Sequence, residues 1–383
     1  MSFLSLSWVA CMWLTVGLYW LAPRAWRDLV LIGLSLAFLL AVSPASAGLL
    51  VAFCAVTHLA GNRLNPTWRN VAVAGGAMAA CLVAFKLRQT IEPVTAITFE
   101  SVLIPLGLSY YTFRCLHFLI ERAKGRIGHV SLRELAAYLF FLPTFVIGPI
   151  HRFDAFAIDQ RRQRLDPGQL SMGFERIVQG YAKIVILSNF ATEQLLGDYI
   201  AGLPNPDGAW GVYLGIVRSG LNLYLQFSGH SDVAIGFALM LGFRVMENFD
   251  WPYLQPNISA FWQSWHRSLS RWCRDYIYGP VVAGSRSPAL GAATTMVVIG
   301  LWHEVSLRFL LWGVYHGLGL VAWQAWQDRR AASSWVIPDA LRGPFHVLAV
   351  LLTVHFVWFG FTILTVPSVP DALMQARRLL GGS

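Results

Sequence analysis

Two stretches of this sequence bring together side chains that could move a proton and hold charge. In Asn257–Gly279, NISAFWQSWHRSLSRWCRDYIYG, His266 sits among tryptophans and three arginines, and 37 positions later His303 closes an uncharged run from Ser287 to Trp302. As a helix that run rises ~24 Å, which puts His303 deep in apolar surroundings or near their far boundary. Ionisable groups at such depth are costly and by default mark functional positions. Imidazole titrates near neutral pH, so the chemistry on offer is proton abstraction by a general base. Glu304 is adjacent, but helix neighbours point ~100 degrees apart, so adjacency alone implies no His–Glu pair. A helix end would also accommodate the two.

In the earlier stretch Trp262, Trp265, Leu269, Trp272 and Tyr276 recur at steps of three and four, with Arg267, Arg271 and Arg274 off that stripe. The pattern predicts one amphipathic helix that lies at an interface or re-enters, rather than one that spans. His266 falls about 40 degrees round from Trp262 and joins the apolar face. It is either a packed structural group or a site residue; packing is the commoner fate of a lone histidine, which needs only a hydrogen-bond partner.

His316 in WGVYHGLGL has Gly313, Gly317 and Gly319 around it, a mark of close helix packing. His58, His346 and His355 lie in apolar runs without a supporting constellation. A polar insertion in YLQFSGHSDVAIG holds Gln226, Ser228, His230, Ser231 and Asp232 around Gly229. A buried Asp must be paired or hydrogen-bonded, so this insertion either lines a cavity or knits two half-helices together. The five cysteines are scattered, without a C-x-x-C pair, and predict neither disulfides nor a metal site. No phosphate-binding glycine loop, dinucleotide fingerprint or nucleophile elbow occurs, which leaves nucleotide hydrolysis unsupported.

The elements that must position these residues follow from composition. Apolar types make up 56% of the 383 residues and charged types 13%, about half the charged share of an average soluble domain. Such a chain cannot cover itself with polar surface, and uncharged runs of ~15 to 20 residues recur along it, so lipid is its solvent. The net charge of +9 lies in short clusters between apolar runs, the positive-inside pattern, rather than on a face suited to nucleic acid. Expected spans are 3–22, 29–43, 46–60, 71–85, 101–120, 173–190, 209–227, 230–243, 288–303, 309–326 and 345–366. The first reads as a retained span, because Arg24 and Arg27 follow it and no basic residue precedes it. Arg63 and Arg69 return to the side of Arg24 and Arg27, which puts the N-terminus outside.

Glu134–Ile150 has basic clusters on both flanks and carries Pro143, Gly148 and Pro149, so it reads as re-entrant. Irregular backbone at membrane depth must be buried in protein or line a cavity, and a cavity is expected here. A transporter would also explain this segment and Asp232, but predicts inverted repeats, and none is visible.

Five blocks in chain order, IPLGLSYYTF (104–113), FLPTFVIGPIHRF (141–153), YLQFSGHSDVAIGFALMLGF (224–243), ENFDWPYLQPNISAFWQSWHRSLSRWCRDYIY (247–278) and GLWHEVSLRFLLWGVYHGLGL (300–320), resemble the membrane-bound O-acyltransferase family. Within it they resemble the bacterial branch that includes the alginate O-acetyltransferase membrane subunit. The resemblance implies one all-α polytopic domain over 1–383 in the bacterial cytoplasmic (inner) membrane, with 10 or 11 transmembrane helices plus re-entrant and interfacial helices around a central tunnel. It implies His303 as the catalytic residue and His266 as its partner across the tunnel, which moves His266 from packing to site.

The resemblance also implies an acyl thioester donor, on coenzyme A (acetyl-CoA) or an acyl carrier protein, at the cytoplasmic mouth beside the arginine-rich helix, with no bound cofactor. The acceptor hydroxyl enters from the other side, on a cell-surface polysaccharide or through a separate extracytoplasmic acyltransferase subunit. His303 would take the hydroxyl proton, His266 would polarise the carbonyl, and Trp262 and Trp265 would shape the tunnel and exclude water. Ser228, Asp232, Asn257, Arg274, Asp275 and Trp302 are the further tunnel residues expected on this reading. Two departures leave donor and acceptor open: Glu304 where relatives carry glycine, and Gly279–Pro280–Val281–Val282 in place of the usual YIYxPLGG continuation. The GPIHRF block is close to the GPI-x-R-aromatic pattern of the teichoic acid D-alanyl transfer branch, so carrier-protein-dependent D-alanyl transfer to a cell-envelope polymer is the alternative.

Overall fold

Why the chain is helical is clearest at its caps. Ser43 ends α2 (Arg27–Val42) and starts α3 (Pro44–His58): its side chain accepts the Ser46 N–H at 3.2 Å while Pro44 takes the first helical position, where a missing N–H costs nothing. The computed structural model describes residues 6–63, 66–95, 107–145, 148–333, 338–366 and 368–382. Among them there are helices and no strands. Residues 3–5 of the first expected span, 101–106 of the fifth, and Val146 and Ile147 of the re-entrant segment lie outside the described residues.

The protein is an all-α membrane protein. Among the described residues four helices are long and apolar enough to cross a bilayer, Arg24–Val42, Pro44–Asn62, Trp68–Leu87 and Asp339–Leu364, and two shorter apolar helices are Leu6–Leu21 and Pro288–His303. The described parts of the other expected spans are mainly helical too, and they carry polar residues such as Arg218 and Asn222 in 209–227, Asp232 in 230–243 and Gln324 in 309–326.

The chain groups into two compact units, Met1–Tyr181 with Gly229–Glu247, and Ala182–Ser228 with Asn248–Ser383. The first contains α1 (Leu6–Leu21), α2, α3, α4 (Trp68–Thr95), α5 (Leu108–Ala123), α6 (Leu132–Leu139), α7 (Phe153–Arg162) and α8 (Pro167–Tyr181). In the segment expected to re-enter, α6 opens on a Ser131–Glu134 capping box and is followed by irregular backbone. That backbone is buried in protein, and the fully buried Arg114 of α5 serves it, donating to the carbonyls of Leu139 and Thr144 and, at 2.6 Å, to Thr144 Oγ1. This burial is one of the two settings that irregular backbone at membrane depth requires.

From α8 the helix runs on through π-helical turns, Ala182–Leu195, into α9 (Leu196–Ala201). The next element corrects an expectation: 209–227 and 230–243 are not two helices, because α10 (Ala209–Met240) is continuous through Gly229. Glycines of α8 and α10 let the two helices touch: a Cβ on Gly180 would stand 2.6 Å from the Gly229 carbonyl oxygen, one on Gly173 2.7 Å from that of Gly236, and one on Gly236 2.6 Å from that of Gly173.

The second unit continues with α11 (Ile258–Ser264), α12 (Arg267–Cys273), α13 (Gly279–Ser285), α14 (Pro288–His303), α15 (Leu307–Ala331), α16 (Asp339–Thr365) and α17 (Val369–Leu379). It holds both histidines singled out from the sequence.

Candidate active site

A tight antiparallel hairpin positions His303. Ser287 caps α14 by accepting the Leu290 N–H at 3.2 Å, and Ser306 caps α15 by accepting that of Phe309 at 3.5 Å. Between them only Glu304–Ser306 is needed to turn the chain. Glycines set the spacing: a Cβ on Gly300 would come within 2.2 Å of the Phe309 carbonyl oxygen, and one on Gly313 within 2.6 Å of that of Met296. His303 is the last residue of α14, at the hairpin tip, and it is exposed rather than enclosed. Its ring stacks on Phe309 at 5.9 Å and meets the Trp312 ring edge-on, also at 5.9 Å.

The continuous helix expected over Asn257–Gly279 is broken. α11 ends at Ser264, Trp265 is extended, and His266 takes a left-handed conformation, φ 42 and ψ 52, before α12 begins. Non-glycine residues are uncommon there, and the surroundings impose it. The Asp250 N–H donates to the Ser264 carbonyl at 3.0 Å and the Arg267 N–H to that of Asn248 at 2.9 Å. The Asn248 side chain adds its Oδ1, which accepts from Ser268 Oγ at 2.6 Å. A clasp on both sides of the break therefore turns His266 out of the helical register, and its position is not the one that helical periodicity assigns.

The break brings His266 toward His303. Trp302 lies between them, its ring 6.3 Å from that of His266 and 4.5 Å from that of His303. His266 also packs edge-on against Phe227 at 4.7 Å and is 2% exposed. Burial, and then positive charge at His303, push the His266 pKa down to about 3. His266 is therefore a neutral hydrogen-bonding group at ordinary pH, and His303 is the exposed ring of the pair.

Beside this pair lies a cavity of about 510 Å³, within the range of small-molecule sites. Arg267, Arg271 and Arg274 form one side, Ala292, Met296 and Ile299 of α14 another, and Trp262 belongs to the wall. Trp262 meets Trp312 edge-on at 5.7 Å, so one ring separates the cavity wall from His303. A cationic side facing an apolar side suits an amphipathic anion, with phosphates against guanidinium groups and an acyl or pantetheine chain against α14.

The other expected residues part ways. Trp265 is in an aromatic stack with Phe261 at 5.5 Å and Tyr253 at 5.9 Å. Asn257 caps α11, accepting the Ala260 N–H at 2.8 Å. Arg274 pairs with Asp275 at 3.1 Å on the cavity side. Ser228 is buried and donates to the Leu225 carbonyl at 3.5 Å. Asp232 belongs to the first unit, where Arg176 of α8 holds it at 2.8 Å and also bonds Glu247; it knits α8 to α10 by an ion pair. Glu304 pairs with Arg308 at 3.3 Å, and Arg308 also donates to the Val366 carbonyl. Among the described residues no group of three or more His, Cys, Asp or Glu could hold a metal ion.

Sequence reasoning passed over Asn248, whose partner lies 20 positions away, and Trp312, which stands one ring from His303. The available signal for Trp312 was its spacing: at nine residues past His303, in a hairpin with a three-residue turn, it falls on the facing helix one turn below the tip.

The sequence model of the membrane-bound O-acyltransferase family matches residues 77–362. The chain belongs to this family. It is similar to the probable alginate O-acetylase AlgI of Pseudomonas fluorescens, 33% identical over 324 residues, which cover 80% of the chain and 62% of that relative. It is also similar to the teichoic acid D-alanyltransferase of Streptococcus thermophilus, 29% identical over 74% of the chain and 72% of the relative. A third likeness is to the peptidoglycan O-acetyltransferase of Helicobacter pylori, 25% identical over 73% of the chain and 57% of the relative. The chain thus spans less than two thirds of the length of the alginate relative quoted first.

Proposed function

We propose that this protein transfers an acyl group, acetyl foremost, from a thioester donor on the cytoplasmic side to a hydroxyl of a cell-surface polysaccharide or of an extracytoplasmic partner. The observation that carries the reading is a cavity with one arginine side and one apolar side, separated by the Trp262–Trp312 contact from an exposed histidine.

The thioester of coenzyme A or of a carrier protein lies in the cavity with its phosphates on Arg267, Arg271 and Arg274. His303 accepts the proton of the acceptor hydroxyl, and the oxygen adds to the thioester carbonyl carbon. Collapse of the adduct restores the carbonyl, breaks the carbon–sulfur bond and expels a thiolate, which takes the proton from His303. Ester and free thiol are the products, and no group on the protein is consumed. His266, neutral and buried, steadies the reacting carbonyl or the acceptor. The protein works in the bacterial cytoplasmic membrane, which it crosses many times.

A second reading, D-alanyl transfer from a carrier protein to an envelope polymer, is favoured by the D-alanyltransferase relative, of which the match covers 72%. Mass analysis of envelope glycans from cells with and without the gene tests both. Loss of acetyl esters supports the first, loss of D-alanyl esters the second, and identical glycans from the two strains reject acyl transfer.

A further inference from the structure

Three buried rings beside His303 carry polar nitrogens that nothing in the described residues satisfies. Trp262 is 8% exposed, Trp312 2% and His316 0%. Neither indole Nε1 has a hydrogen-bond partner, nor has Nδ1 or Nε2 of His316. The three rings touch pairwise, Trp262 to Trp312 at 5.7 Å, Trp262 to His316 at 5.3 Å and Trp312 to His316 at 4.8 Å. Buried donors are almost always paired in folded proteins, so this gathering of them requires an explanation. If packing were the only demand, phenylalanine or leucine would fill the same space without polar atoms.

The location supplies one. Trp262 is part of the cavity wall, and Trp312 is in edge contact with His303. The ring cluster thus meets the cavity wall through Trp262 and His303 through Trp312. His316 Nε2 lies close against α16, where a Cβ on Gly360 would stand 2.7 Å from it, so the absence of a side chain at Gly360 leaves room for the ring. Addition of an oxygen to a thioester turns the carbonyl oxygen into an oxyanion, and N–H donors in a dry, preformed site stabilise that charge most effectively.

We infer that Trp262, Trp312 and His316 form the oxyanion pocket of the reaction, the two indole N–H groups donating to the thioester carbonyl oxygen and His316 completing the nook. The inference rests on the acyl-transfer reading. In balanced form, the acceptor O–H proton goes to His303, the new C–O bond forms, and the carbonyl π pair moves onto the oxygen held by the indoles. That pair returns as the C–S bond breaks, and the departing thiolate takes up the proton.

The test is the initial rate of ester incorporation into envelope glycan, read by mass analysis in cells carrying single variants at matched membrane levels, with thermal stability measured on the purified proteins. Trp262→Phe and Trp312→Phe keep an aromatic ring, though a smaller one, and lose the N–H. Each is expected to slow incorporation on the order of 100- to 1,000-fold with little change in stability, and the double variant to fall short of the product of the two. His316→Gln is expected to retain more rate than His316→Leu. His303→Ala in the same cells separates the two ideas. If it keeps the wild-type rate, acyl transfer by this site is wrong. If it is inactive while both Trp→Phe variants run at the wild-type rate, the oxyanion pocket is wrong and the rings are packing, their N–H groups resting on neighbouring π faces.

Discussion

The Arg267 N–H donates to the Asn248 carbonyl at 2.9 Å, a bond that clasps the chain just after His266 and holds that residue in a left-handed turn. The neighbouring bond from Ser268 Oγ to Asn248 Oδ1, at 2.6 Å, can be removed by mutation. Asn248→Ala leaves buried Ser268 donors without their acceptor, which should cost about 1–3 kcal/mol and lower activity because His266 loses its seat. Asn248→Asp retains the acceptor oxygen and should recover part of both. Melting temperatures in detergent, set beside acylation rates, check this; equal stability in wild type and Asn248→Ala would contradict it.

The low pKa of His266 makes a statement about pH. Its folded value is about 3, below the ~6.5 of an unfolded histidine, so between the two the unfolded chain binds more protons. Stability contributed by neutral His266 is therefore complete above pH ~6.5 and is lost progressively as pH falls toward 3. His266→Gln should flatten this part of the melting-temperature profile and, because the ring also faces the site, reduce acylation strongly without abolishing it. An unchanged slope, or wild-type activity, would return His266 to plain packing.

Arg271 and Arg274 are on the cationic side of the cavity. Replacing either with Gln should raise the apparent KM for a phosphate-bearing donor by roughly tenfold, a charge-assisted hydrogen bond's worth, with kcat nearly unchanged, and should weaken its salt dependence. Donor titration with purified protein at two ionic strengths gives the answer, and an effect confined to kcat would count against a donor-binding role.

Glu304 is the departure next to the base, and its carboxylate is in an ion pair with Arg308 at 3.3 Å. Half-exposed pairs of this spacing contribute under about 1 kcal/mol. Glu304→Gln should therefore leave acylation within about threefold of wild type and shift the melting temperature little. A loss as large as that of a His303 variant would make Glu304 part of the proton chemistry.

Much of the scaffold is written in local patterns. Apolar runs and the Ser43–Pro44 cap fix the early helices, and the charge-free run before His303 correctly delimits α14. What local patterns could not give is what distant segments impose. The steps of three and four from Trp262 to Tyr276 fit one helix, yet Asn248 and Asp250, bonding across to Ser264 and Arg267, break it at His266. Gly229 looks like an interruption, but α10 runs on through it, and Asp232 answers Arg176 of α8, a partner 56 positions away. His316 looks like packing on a glycine-rich helix; only the α14–α15 turn and the approach of Trp262 reveal Trp312 as a neighbour of His303 and His316 as a neighbour of both tryptophans.

The central claim is that His303 is the base for acyl transfer, and the direct measurement is the ester content of envelope glycans in cells expressing His303→Ala at wild-type membrane levels. The variant should insert and stay folded, because the ring lies exposed at the hairpin tip, while ester content falls to that of cells lacking the gene. Wild-type ester content in those cells would contradict the account.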